Sequence, residues 1–205
     1  MKLRTILMVG LAALTLAACS SKPASDLYVL RVPDDAATTC NKPYTLAMNR
    51  PSAPNEYDTK RIAVMLDHNH LTYYTGASWA SPFPDQLQDF LSDAFTRQGL
   101  TVLDGSDDTD TASKLHITIR EADITNAETP IVQLRLTGTV SNASGHTTHF
   151  KVNAKVPAEK NHMPQIVDAY DAAAMQAAVT IMKSMKLRCA GNRGTPLSRH
   201  RSVLQ

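Results

Sequence analysis

Three sets of side chains in this 205-residue chain have types and spacings that could do chemistry. The thiols of Cys19, Cys40 and Cys189 can be acylated, paired by oxidation, or ionised into nucleophiles. The run Asp67-His68-Asn69-His70 sets two imidazoles two residues apart, a spacing that on a strand could hold a metal with one further ligand. The loop carrying Asp104, Asp107, Asp108 and Asp110 offers oxygens to a calcium ion. Only the cysteines survive comparison with the pattern each chemistry needs. Counted as an EF-hand from Asp104, the sixth position is Thr109 instead of glycine and the twelfth is Leu115 instead of glutamate, which leaves a solvated turn. His68 and His70, and the looser pair His146 and His149, lack the Cys/His framework or H-E-x-x-H helix that makes a metal signal specific, and read as surface histidines. There is no G-x-S-x-G elbow, and Ser144 sits in the turn sequence NASGH. Gly-rich phosphate loops, paired-carboxylate motifs and dinucleotide fingerprints are missing too. No catalytic residue, cofactor or metal ligand is expected, and the chain reads as non-enzymatic.

The cysteines belong to the two ends of the chain. Lys2 and Arg4 precede an uncharged apolar run over 5–16, too short to span a bilayer and ending in small residues, as a secretory signal does. Leu16-Ala17-Ala18-Cys19 resembles the lipobox of bacterial lipoproteins, in which the cysteine is lipidated and becomes the first residue after cleavage. An ordinary signal peptide with a chance cysteine at the junction is the alternative. Several acyl chains on Cys19, palmitate among them, each add roughly 0.8 kcal/mol per buried CH₂ and together make a lasting anchor. Ser20 follows instead of aspartate, which resembles lipoproteins passed on to the outer membrane.

The expected organisation is a signal peptide over 1–18, a lipidated tether over 19–26, one domain over 27–189 and a basic tail over 190–205. Loss of Lys2 and Arg4 leaves 19 basic against 19 acidic residues, so no nucleic-acid partner is expected. With Cys19 lipidated, Cys40 and Cys189 remain as one pair in an oxidising compartment, and a disulfide is expected. Closing so long a loop would stabilise the fold by about 4–5 kcal/mol if unstrained. Two free structural thiols are the alternative; a redox pair would need the C-x-x-C spacing this chain lacks.

Within the domain, LYVLRV at 27–32 predicts a first strand, 33–60 a Pro-rich connection with a short strand at 44–48, and RIAVML at 61–66 a buried strand. Leu87, Phe90, Leu91, Ala94 and Phe95 share one face of a helix, opened by Pro82, Pro84 and Asp85 and stopped by Gly99. A strand at 100–103 and three alternating runs centred on Leu115–Ile119, Val132–Val140 and Phe150–Val156 come next, the last two joined as a hairpin through 142–146. A helix over 164–187 closes the domain, with Ile166, Tyr170, Ala173, Ala174, Ala177, Ile181 and Met185 on its apolar face. The expected class is α+β: a two-layer domain with a mainly antiparallel sheet and two helices, in β-α-β-β-β-α order.

Four of the eleven aromatic residues, Tyr73, Tyr74, Trp79 and Phe83, fall in LTYYTGASWASPFP at 71–84, which reads as the connection between the buried strand and the first helix. Trp79 and Phe83 can fold under the first turn of that helix. Tyr73 and Tyr74 are adjacent, so in extended chain they point to opposite sides, and at most one is expected to be buried. The other, next to the permissive Gly76, would be an amphipathic ring of the kind that anchors interfaces.

The stretch from Arg61 to Phe95 resembles the central signature of the ABC-type transport auxiliary lipoproteins, the PqiC-like partners of transport systems built on MCE proteins. The matching residues are Arg61–Val64, Tyr73 and Tyr74, Gly76, Trp79 with Pro82, and Leu87 with Leu91. Many members carry arginine just before the tryptophan, where this chain has Ser78. The resemblance implies an outer-membrane lipoprotein held by Cys19, facing the periplasm, with Tyr73, Tyr74 and Trp79 as partner-binding residues. It further implies an MCE-domain protein as partner, ATP hydrolysis on a separate subunit, and a possible homo-oligomer. A structural lipoprotein bracing an envelope assembly without carrying lipid is the alternative.

Overall fold

A computed structural model describes residues 25–34, 44–105 and 111–185. Cys19, Cys40 and Cys189 lie outside these residues, as do the signal peptide, most of the tether and the basic tail.

Eight strands and two helices follow one another along the described chain. They are β1 (Asp26–Tyr28), β2 (Thr45–Met48), β3 (Arg61–Asp67), β4 (His70–Trp79), α1 (Phe83–Arg97), β5 (Thr101–Asp104), β6 (Ser113–Thr125), β7 (Ile131–Ser141), β8 (Thr147–Pro157) and α2 (Met163–Ser184). Strands β6, β7 and β8 form an antiparallel meander, as their alternation predicts. Inward go Leu115, Ile117 and Ile119, then Val132, Leu134 and Leu136, then Phe150, Val152 and Ala154, all buried. The α+β class is observed, and the strands outside the meander make the sheet a mixed one.

The mixture arises at β6. One edge of this long strand is taken by β7, and the other is divided. Its first half pairs parallel with β2 (Leu46 opposite Ser113), and its last residues pair parallel with β3 (Ala63 opposite Asp123). Between them Ser52 makes an isolated bridge to Thr118. Residues 45–67 thus run beside β6 as one interrupted strand, and the surplus chain loops out around 53–60. Onto the free side of β2 is added β5; β4 and then β1 extend the branch that begins with β3.

Three expectations need adjustment. The segment 71–79 is a strand, not a connection: a tight turn at His68 and Asn69 folds β4 antiparallel onto β3. Its residues are mostly β-branched or aromatic, which favours strand, but two adjacent tyrosines hide the apolar/polar alternation. The first strand is shorter than 27–32. Past Tyr28 the chain leaves the ladder, and Leu30 and Val32 are buried from irregular backbone. There the Leu30 amide donates to the buried Gln86 side chain at 3.0 Å, and the Arg31 amide to Asp171 at 3.0 Å. The closing helix is described only as far as Ser184, with Met185 capping it.

Both helices bury an apolar stripe. In α1 it is Leu87, Phe90, Leu91, Ala94 and Phe95, and in α2 Ile166, Tyr170, Ala173, Ala174, Ala177, Ala178 and Ile181. The alanines of α2 bring the helix axis close to β7 and β8, because a methyl group needs little space between layers. Gly99, with φ of 88°, ends α1.

Gly138 is the tightest point of the meander. A Cβ there would lie 2.2 Å from the His116 carbonyl oxygen and 2.4 Å from the Phe150 ring. Because one obstacle is backbone, Gly138→Ala is expected to cost about 1–3 kcal/mol, as overpacking does. Urea unfolding of the two proteins measures it.

Candidate functional site

The β3–β4 hairpin carries the residues that the sequence singles out. At its tip Asp67 pairs with His70, and the Asn69 amide donates to the Asp67 carboxylate at 3.1 Å. His68 and His70 are exposed beside this turn. Among the described residues no group of three His, Cys, Asp or Glu is placed to hold a metal ion.

Further along, the ladder is interrupted. Ala63 stands opposite Tyr73 while Arg61 stands opposite Ser78, so β4 uses five steps where β3 uses two. The surplus forms a wide bulge around Gly76, whose φ of 83° favours glycine and beside which a Cβ would meet nothing. Tyr73 and Tyr74 lie at the start of this bulge. Both are half-buried, packed against the core with part of each ring left to solvent. The Arg61 guanidinium sits 3.6 Å from the centroid of the Tyr73 ring, a cation–π contact, and the Tyr73 hydroxyl donates to the Glu56 carbonyl at 3.4 Å. Arg61 is also directly across from Ser78. The chain therefore supplies a cation from the neighbouring strand beside the position where the resemblance leads one to expect an arginine. Sequence inspection could not find this, since the two positions are brought together by a bulge.

Trp79 is placed differently. It is 2% exposed, and its ring meets Tyr170 edge-on at 5.1 Å and Phe83 at 5.6 Å, with Phe83 and Tyr170 themselves 5.7 Å apart. Its amide donates to the Lys60 carbonyl at 2.7 Å, and the next amide, of Ala80, to the Tyr28 carbonyl at 2.8 Å. The tryptophan thus ties β1, β3 and β4 to α1 and α2, and its own ring is closed to a partner at this surface.

The loop 53–60 behind the hairpin is pinned at two points. The Arg50 side chain bonds both Asp58, at 2.6 Å, and Asp85 in the first turn of α1. Bonded in this way to Asp58 and Asp85, Arg50 is held charged and lowers the Asp58 carboxyl below its ordinary range. At the second point the Tyr57 hydroxyl donates to Asp123 at 2.8 Å, with Asp123 only 2% exposed. Burial raises the pKa of both groups.

On the helix side, a groove of about 610 Å³ runs between residues 30–34, α1 and α2. Its walls include Asp34, Asp89, Asp93, Asp168 and Asp171, against Arg31 and Arg97. Arg97 bonds Asp93 at 3.0 Å and Asp34 at 3.5 Å. Burial, in spite of the Arg31 amide, pushes Asp171 up to about 7.

Two outcomes are expected. Trp79→Ala should cost about 3–5 kcal/mol, as removal of a large buried ring does, whereas Tyr73→Ala should cost clearly less because its ring is half-exposed; thermal and urea unfolding compare them. Asp171 binds its proton more tightly folded than unfolded, so stability should fall as pH rises from about 4 to about 7. Asp171→Asn should flatten that fall without abolishing it, because Asp123 is shifted in the same direction; unfolding curves across this pH range measure both.

Comparison with known proteins agrees with this architecture. The family model described as the ABC-type transport auxiliary lipoprotein component matches residues 28–182. No curated protein matches. Among solved structures, a protein from Xanthomonas campestris superposes with a TM-score of 0.64 at 23% identity, covering 78% of this chain and 94% of the other. A second, described as an uncharacterized protein, gives 0.65 at 13% identity, covering 79% and 99%. At these identities the likeness is one of fold. The family match spans three quarters of the chain, from β1 into the last turn of α2, and the chain belongs to the ABC-type transport auxiliary lipoprotein components.

Proposed function

We propose that the protein is an outer-membrane-anchored periplasmic lipoprotein that assists an MCE-type ABC system in moving lipid between membranes. Cys19 carries the anchor, and the folded domain meets the MCE-domain protein of the same system. Membership of the auxiliary lipoprotein family is the observation that carries this reading. Among the described residues no helix is long and apolar enough to cross a membrane. The partner contact is assigned to the half-exposed rings of Tyr73 and Tyr74, with Arg61 held over Tyr73 and Trp79 fixing the hairpin from below. Aromatic rings with one polar end and a stacked arginine are the side chains that most often dominate binding energy at interfaces.

Crosslinking in intact cells, extraction in mild detergent and identification of copurifying proteins test the proposal. An MCE-domain partner is expected, weakened by Tyr73→Ala or Tyr74→Ala in variants that still unfold cooperatively well above the temperature of the experiment. Recovery of porins or peptidoglycan-linked proteins alone would replace it with a structural, bracing role.

A further inference from the structure

The solvent face of the β6–β7–β8 meander has chemistry that neither the hairpin nor the anchor uses. The strand register arranges its side chains in rows. His116 and His149 flank Thr139 in one row, and Lys151 lies beside Thr137 in the next. Arg120, at a bulge in β6, reaches the same point, its Nε donating to the Thr137 hydroxyl at 3.1 Å. A depression of about 290 Å³ opens between these rows, with His116, Thr137, Thr139, His149 and Lys151 in its lining and no carboxylate. One register further along, Arg135 is paired with Glu121, and beyond it Lys155 is exposed. Among the described residues neither Arg120 nor Lys151 has an ion-pair partner.

We propose that this face is a binding site for the phosphodiester of an anionic lipid headgroup, with Arg120 and Lys151 as the charged donors, the hydroxyl of Thr137 between them and that of Thr139 in the adjacent row. A phosphodiester presents acceptor oxygens and a single negative charge, which matches clustered donors that hold net positive charge. Guanidinium and ammonium bonds to phosphate are the strong, charge-assisted kind. The openness of the face argues for a headgroup over a free ion. The depression is shallow, and Lys155 lies beyond it along the same strand, as suits headgroups presented side by side in a bilayer. A small free anion is better held by an enclosed site. This assignment does not depend on the MCE partner, and it stands or falls separately from the hairpin.

The full-length lipidated protein in uncharged detergent is titrated by calorimetry with short-chain dihexanoyl phosphatidylglycerol below its micelle concentration, and separately with inorganic phosphate. Ring resonances of His116 and His149 are followed by NMR. Binding of the phosphatidylglycerol is expected to shift both histidines. It should weaken at least tenfold in Arg120→Gln/Lys151→Gln, an exposed pair whose melting temperature should be unchanged, and stay constant in the control Lys160→Gln. No binding would overturn the site, as would binding that survives the double substitution or that falls equally in the Lys160 control. Binding of inorganic phosphate alone would overturn the headgroup assignment.

Discussion

The structure depends on one strand edge that has to satisfy two ladders. Backbone amides and carbonyls along β6 need partners on both sides, and β7 can serve only one. The remaining edge is filled by two successive pieces of the same upstream segment, β2 and β3, with the Ser52 bridge between them. That arrangement forces surplus chain to loop out, and the loop must be fastened. Tyr57 to Asp123 and Arg50 to Asp58 and Asp85 are the fasteners. The hairpin that bears Tyr73 and Tyr74 grows from β3, so its position is set by the same division.

The two kinds of aromatic residue in the hairpin are separated by backbone geometry more than by composition. Trp79 enters the core because β4 resumes regular pairing there, flanked by β1 on one side and by Lys60 and Arg61 on the other. Tyr73 and Tyr74 stay at the boundary because the Gly76 bulge follows them. A rigid ring cluster beneath a bulge keeps this half-exposed surface in one conformation.

Much of this was legible in the sequence, for a physical reason. The meander strands have one wet face, so alternation marked Leu115–Ile119, Val132–Val140 and Phe150–Val156. The helices have one dry stripe, which marked Leu87–Phe95 and Ile166–Ile181. Strands buried or amphipathic on both faces have no such signature, and β4 resembles a connection in sequence because Tyr73 and Tyr74 satisfy both environments. Parallel pairing of β1, β2 and β5 joins residues far apart in the chain, which periodicity does not encode. The same holds for the site. Tyrosines and tryptophan were visible as a cluster, but the burial of Trp79 and the stacking of Arg61 on Tyr73 depend on register across a bulge.

The last strand has a further consequence. Among the described residues β8 pairs only with β7, so alternate residues along its eleven present an open row of amides and carbonyls. Such a row is a template for adding a strand from another molecule. Lys151 and Lys155 project from this strand at alternate positions of its wet face, and Pro157 ends it without an amide to offer. An incoming strand of the same sequence would bring lysine against lysine and lose bonds at the proline. The long edge is thereby kept from seeding aggregates, a safeguard that matters for any chain that must travel unfolded before it reaches the place where it folds.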